Sequence, residues 1–135
     1  QGLYLRTTTE QRRLDSAGRG FSGEQQDWRG RELLVPCFQA RVVGTTGAGD
    51  ATIAGFLVSL LDSAGPETAM RNAVAVGACS VEAADASSAI PTWEAVQQRI
   101  VGGWQQCAVW LSLPGWRRDA EGGIWYGPSD RQASA

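Results

Sequence analysis

The residues best suited to chemistry are Gly47-Ala48-Gly49-Asp50, which follow Thr45-Thr46 and precede a run of apolar side chains. Gly47 and Gly49 leave the backbone uncovered, so amide N–H groups can come close to an oxyanion. If the apolar run over residues 48–61 is a helix, those amides lie at its N-terminus, where the macrodipole favours negative charge. Asp50 then falls in the first turn, and its carboxylate faces the same point. A carboxylate beside a phosphate is repulsive unless a base is needed there. Phosphoryl transfer to an alcohol needs one, because the hydroxyl proton must leave while the amides hold the γ-phosphoryl group. A bare Gly-Ala-Gly-Asp is equally well an ordinary capped turn. Val42-Val43 before it and Ala54-Gly55-Phe56-Leu57 after it make the pattern specific.

The composition narrows the alternatives. The chain has 135 residues, 12 basic and 14 acidic side chains, and no histidine. That length suits one domain with a modest core. The lack of histidine removes Ser-His and Cys-His mechanisms and most zinc chemistry. No basic cluster exceeds two consecutive arginines, so no nucleic-acid partner is expected. Cys37, Cys79 and Cys107 are odd in number and widely spaced, which reads as three reduced thiols of a cytoplasmic protein. The longest apolar run, near residues 53–61, is too short to span a bilayer, and no signal peptide opens the chain. Gln1 in place of Met suggests a piece of a longer protein.

The elements that must position the site follow from periodicity. Leu3 and Leu5 alternate with Tyr4 and Arg6, which predicts a strand at the amino end. Residues 7–28 are polar and glycine-bearing, and are expected to be loop or a small hairpin. Leu33-Leu34-Val35 predicts a strand that Pro36 ends or places at an edge. Val42-Val43 is expected to be a strand end leading into the glycine turn. Residues 48–61 are apolar on nearly every face, which predicts a buried helix. A second helix is expected from Pro66, with small residues at 69, 73, 75, 77 and 78 for close packing. A third starts at the N-cap Thr92 with Glu94 in its first turn. Its stripe is Val96, Ile100, Trp104 and Cys107. The tail beyond carries Trp110, Trp116, Trp125 and Tyr126 among glycines and prolines. It should wrap onto the core through its tryptophans, with the last few residues disordered.

Thr-Thr-Gly-Ala-Gly-Asp at 45–50, set between Val-Val and Ala-Gly-Phe-Leu, resembles the second signature of the ribokinase-like (PfkB) carbohydrate kinases, Asp-Thr-Thr/x-Gly-Ala-Gly-Asp-x-Phe-x-x-Gly. Asn72-Ala73 with its small-residue helix, Ala89-Ile90-Pro91 and the last amphipathic helix follow the family's C-terminal order. The resemblance covers residues 2–107. It implies an α/β fold: the C-terminal, nucleotide-binding half of a Rossmann-like three-layer α/β/α sandwich over residues 1–107, with residues 108–135 packing on it as a tail. It implies ATP-dependent transfer of the γ-phosphoryl group to a hydroxyl of a sugar or related alcohol, with Mg2+ carried by the nucleotide and no dedicated metal ligands. By the same resemblance Asp50 is the catalytic base. Gly47, Ala48 and Gly49 form the anion hole, Asn72 lines the adenine pocket, and Gly2 touches the nucleotide with Thr45 and Thr46.

Three departures matter. Gly44 stands where the family usually has Asp, and residues 84–89 lack the usual Gly-Ala pair and look longer, which together count against a monovalent-cation site. Thr52 stands where Phe is usual. The family's N-terminal half, with its sugar signature and lid, is not in this chain. The partner expected is therefore that half or a second copy, beside the nucleotide and the sugar. A nucleoside kinase shares this half, and a catalytically silent module that only packs or oligomerises is the rival from another class. Glu82 and Asp85 read as solvated acids rather than cation ligands. Trp104 reads as core, and Cys79 as packing.

Overall fold

The computed structural model describes residues 2–17, 25–119 and 123–132. Gly2–Arg6 forms β1 and Glu32–Pro36 forms β2, paired antiparallel with Leu3 opposite Val35 and Tyr4 opposite Leu34. Two short strands from the end of the chain, β3 (Arg117–Arg118) and β4 (Trp125–Tyr126), complete a sheet in the order β1-β2-β4-β3. β2 is thus an interior strand, and all five of its residues are buried. Pro36 ends it rather than placing it at an edge.

Side-chain alternation sorts the two faces of the sheet. Leu33 and Val35 join the main core, with Leu3 and Leu5 packed beside them. On the opposite face the Tyr4 hydroxyl donates to Glu32 Oε1 at 3.1 Å, and the Tyr4 ring lies 6.2 Å from that of Trp116.

The described part of residues 7–28 shows no hairpin. It holds a six-residue helix, α1 (Gln11–Ser16), and a 3-10 turn at Gln25–Trp28. The run Gln11-Arg12-Arg13-Leu14 lacks the alternation a strand needs and is made of good helix formers. Leu14 and Trp28 anchor it, closing a second small core with Ala69.

Three longer helices follow: α2 (Ala48–Leu61), α3 (Pro66–Ser80) and α4 (Trp93–Val101). Gly65 caps α3 and Pro66 is its first residue, as the sequence predicts. α2 and α3 approach closely because their contact face lacks side chains. A Cβ on Gly55 would lie 3.0 Å from Val76 Cβ, and one on Gly77 would collide with the Thr52 hydroxyl. α3 in turn packs against β1 and β2, so the helices and the antiparallel sheet share one core.

Four expectations need correction. α2 is not buried all round: only Ala51, Gly55 and Ser59 are buried, one stripe at four-residue spacing, while Ile53, Leu57, Val58 and Leu61 are exposed. Its apolar character exceeds what one neighbouring helix can cover. Val42-Val43 is not a strand end. Both residues are exposed, and the Val43 and Gly44 amides reach the Val81 carbonyl at 2.8 and 3.2 Å instead of a neighbouring strand. α4 stops at Val101, and Gly103 (φ 85°) turns the chain, so Trp104 packs on the core from beyond the helix and the Cys107 amide meets the Cys37 carbonyl. Finally, the tail attaches only in part through its tryptophans: Trp116 and Trp125 are half-buried, while Trp110 is 92% exposed. The tail also attaches by pairing β4 with β2 and by Asp130, whose carboxylate accepts from Arg31 Nε at 3.1 Å and from the Glu32 amide at 2.8 Å. Arg31 also pairs with Glu67 on α3. The expected disorder of the last few residues falls on 133–135, outside the described residues.

The Arg31–Asp130 pair is nearly sealed from water, with side chains 1% and 0% exposed. Removing Asp130 leaves the buried Arg31 with Glu67 as its remaining carboxylate and strips the Glu32 amide of its acceptor, a loss of up to roughly 3–5 kcal/mol. Asp130→Ala should therefore lower the urea midpoint far more than Trp110→Ala, which should stay within about 0.5 kcal/mol of the parent. Equal effects would mean that the tail is not tied to the sheet through Asp130.

Candidate functional site

The glycine turn is built by a left-handed residue and an uncapped helix. Gly47, at φ 76°, is the N-cap of α2, in a conformation that favours glycine. No side chain caps this end. The Ala48 amide turns back to the Thr45 carbonyl at 3.3 Å, and the first bond of the helical ladder runs from the Ala51 amide to the Gly47 carbonyl at 2.8 Å. The amides of Gly49 and Asp50 precede that bond and are not used by the ladder. Thr45, Thr46, Gly49 and Asp50 are exposed, and a Cβ built on Gly49 meets nothing within 4 Å. Two unspent N–H groups, a helix dipole and an exposed carboxylate therefore share one open corner.

The other side of the turn is closed by the loop after α3. A Cβ on Gly44 would lie 2.8 and 2.9 Å from the carbonyl oxygens of Ala83 and Ala84, and one on Gly47 would collide with Ala86. The absence of a side chain at 44 and the altered loop at 84–89 are thus one steric fact. The loop holds its own shape: Asp85 Oδ1 accepts from the amides of Ser87 at 2.9 Å and Ser88 at 2.7 Å. Hydrogen bonds from Ser88 and Ser87 hold the Asp85 carboxyl at about 2. Glu82 is paired rather than simply solvated. It takes both Arg99 guanidinium nitrogens at 2.7 and 2.6 Å, and that group lies over the Trp104 ring, 3.6 Å from its centre. The Arg99 hydrogen bonds lower the Glu82 carboxyl.

The remaining predicted residues lie apart from this corner. A cavity of about 340 Å3 runs beside the start of α2, lined by Ala48, Gly49 and Thr52 on one side and Cys37, Phe38 and Cys107 on another. Gly2 does not reach it. It sits opposite Pro36 at the end of β1 and lines a separate cavity of about 540 Å3 between the sheet and residues 108–111. Asn72 is buried, with Nδ2 donating to Ser59 Oγ and Oδ1 accepting from Gln97 Nε2, each at 3.0 Å. Its side chain ties α2, α3 and α4 together. Sequence reasoning missed Ala83–Ala86 as the wall over the turn. That wall depends on a contact between distant segments and left no local signal.

Residues 21–93, just over half of the chain, match the family model described as pfkB family carbohydrate kinase. The chain belongs to that family. A curated relative, the ribokinase of Bacillus subtilis (strain 168), is 34% identical over 79 residues, 58% of this chain and 27% of the relative. The chain thus spans about a quarter of the length of the relative it matches. No solved structure matches.

The two site glycines should respond differently to alanine. Gly47→Ala pays about 1–2 kcal/mol for a left-handed alanine and also overlaps Ala86. Gly49→Ala meets open space in a helix and should leave stability unchanged or raise it by up to about 1 kcal/mol. Thermal unfolding of the two variants checks this. Equal destabilisation would show that the turn is not held as described.

Proposed function

We propose that the chain supplies the nucleotide-binding half of an ATP-dependent phosphotransferase acting on a hydroxyl of a sugar or related small alcohol. The observation that carries this reading is the open corner at the start of α2, where the unspent Gly49 and Asp50 amides stand beside the exposed Asp50 carboxylate. In it, Gly47, Ala48 and Gly49 shape the anion hole, with the Asp50 amide as an added donor to the γ-phosphoryl oxygens. Asp50 takes the proton from the acceptor hydroxyl as the new P–O bond forms. Thr45 and Thr46 flank that corner and contact the nucleotide, while Gly2, in a separate cavity, and the buried, hydrogen-bonded Asn72 are left out of this contact. Donors without net positive charge suit a phosphate whose charge is already partly balanced. That balance is what Mg2+ on the nucleotide supplies.

The rest of the reading concerns the larger protein. The sheet and α2–α4 would form the C-terminal part of a three-layer Rossmann-like sandwich, whose other part carries the sugar site and lid. Residues 108–132 then act as a tail built into the same sheet. Among the described residues no helix is long and apolar enough to cross a membrane, and use of ATP fits a cytoplasmic protein.

A second reading, that the chain works against another protein surface, is favoured by one observation. Ile53, exposed on α2 with Leu57, Val58 and Leu61, lines a groove with Leu3, Leu5 and Phe56 beside β1, whose outer edge is unpaired among the described residues. Apolar faces and strand edges of this kind are normally covered. The missing half or a second copy is the proposed cover.

Two measurements test these readings. In the longer protein Asp50→Asn keeps the shape and removes the base, so nucleotide affinity should persist while kcat falls by roughly 10²–10⁴. Unchanged turnover would place the base elsewhere. For the isolated chain, light scattering should show self-association that Leu57→Glu weakens without loss of helix content. Undiminished association in that variant would place the contact on another face.

A further inference from the structure

Phe38 and Gln106 form an isolated antiparallel bridge, with the Gln39 amide donating to the Gln105 carbonyl at 2.8 Å and the Cys107 amide to the Cys37 carbonyl at 2.7 Å. That register sets Cys37 opposite Cys107. Directly opposed residues of an antiparallel pair have Cα atoms about 4.5–5.5 Å apart and point to one face. A disulfide accepts Cα separations of about 4.4–6.8 Å. Both cysteines are half-buried, both are free thiols, and both line the cavity beside Ala48 and Gly49. Two residues far apart in sequence are thus brought into bonding register by the fold.

We propose that Cys37 and Cys107 are a reversible disulfide site, closed by a peroxide or a small-molecule disulfide such as glutathione disulfide. With glutathione disulfide, one cysteine thiolate attacks a sulfur and expels one glutathione thiolate, leaving a mixed disulfide. The second cysteine then attacks the protein sulfur of that bond and expels the second glutathione. The net change oxidises two thiols to one disulfide and reduces one glutathione disulfide to two thiols. Closure clamps residues 105–107 to the segment leaving β2, in the wall of the cavity that faces the start of α2. Burial pushes the Cys37 thiol up, and the neighbouring Cys107 adds to the rise. The exchange should accordingly quicken as pH rises, because the thiolate is the reactive form. Cys79 stands outside this pair: it is buried in α3, within 3.7 Å of an Arg99 nitrogen. The site does not depend on the kinase reading.

The test treats the full 135-residue chain with glutathione disulfide at increasing pH, alkylates the remaining thiols, and maps peptides without reduction. The expected result is an intrachain peptide joining Cys37 to Cys107, with Cys79 alkylated and the bond reversed by dithiothreitol. Cys79→Ser should leave the cross-link unchanged, and Cys37→Ser or Cys107→Ser should abolish it. Peptide mapping of the parent chain decides the matter even where a variant folds poorly. Alkylation of all three thiols after treatment, or cross-links that involve Cys79 or join two chains instead, would overturn the proposal.

Discussion

The close contact between α2 and α3 fixes where everything else can be. At Gly55 and Gly77 the side chain is missing, and the space it would fill is already taken by Val76 and by Thr52. Larger residues would push the helices apart and lift the start of α2 away from its neighbours. Thr52 sits in the notch that Gly77 leaves and returns its hydroxyl to the Ala48 carbonyl at 2.8 Å. The packing therefore acts directly on the first turn of α2, which carries the site. The turn between the helices adds to this rigidity. Ser63 adopts φ 60°, and the Ala64 and Ser63 amides close onto the carbonyls of Ser59 and Leu60 at 2.9 and 3.1 Å.

Around that contact, the structure separates what is spent on holding the fold from what is left open. Asn72, Ser59 and Gln97 form a closed hydrogen-bonded chain across three helices. Arg31, Glu67 and Asp130 join α3, β2 and the tail. Arg99 locks Glu82 and stacks on Trp104, which in turn stacks on Phe38 at 4.7 Å. Polar groups in these networks are paired, as buried polar groups must be. The amides at the start of α2 are the contrast. The space at Gly49 is open, and this suits them to an exchangeable ligand rather than a structural partner.

The exposed side of α2 follows from the same economy. A helix that is apolar on several faces needs several neighbours, and α3 supplies one. The sheet is similarly open, because among the described residues the outer edge of β1 is unpaired while β2 is enclosed.

The sequence alone was enough to identify the family and the glycine turn at the head of α2, because both rest on local constraints. A glycine turn at the head of a helix, an acid in its first turn, and caps such as Gly65-Pro66 and Thr92 are set by residues within a few positions of each other. The strand at β1 and the small-residue helix α3 were legible for the same reason: their periods are written in consecutive side chains. What the sequence could not decide was which of several equally apolar faces finds a partner. Apolar character marks a surface as able to be buried, and only packing shows whether it is. Hence α2 proved to be exposed along most of its length, Val42-Val43 formed no strand, and the tail entered the sheet through β4 and Asp130 rather than through Trp110. The fit of Gly44 beneath Ala83 and Ala84, and the meeting of Cys37 with Cys107, are contacts between segments distant along the chain. They leave no local signature, because the energy that selects them arises only once the helices and the sheet are in place.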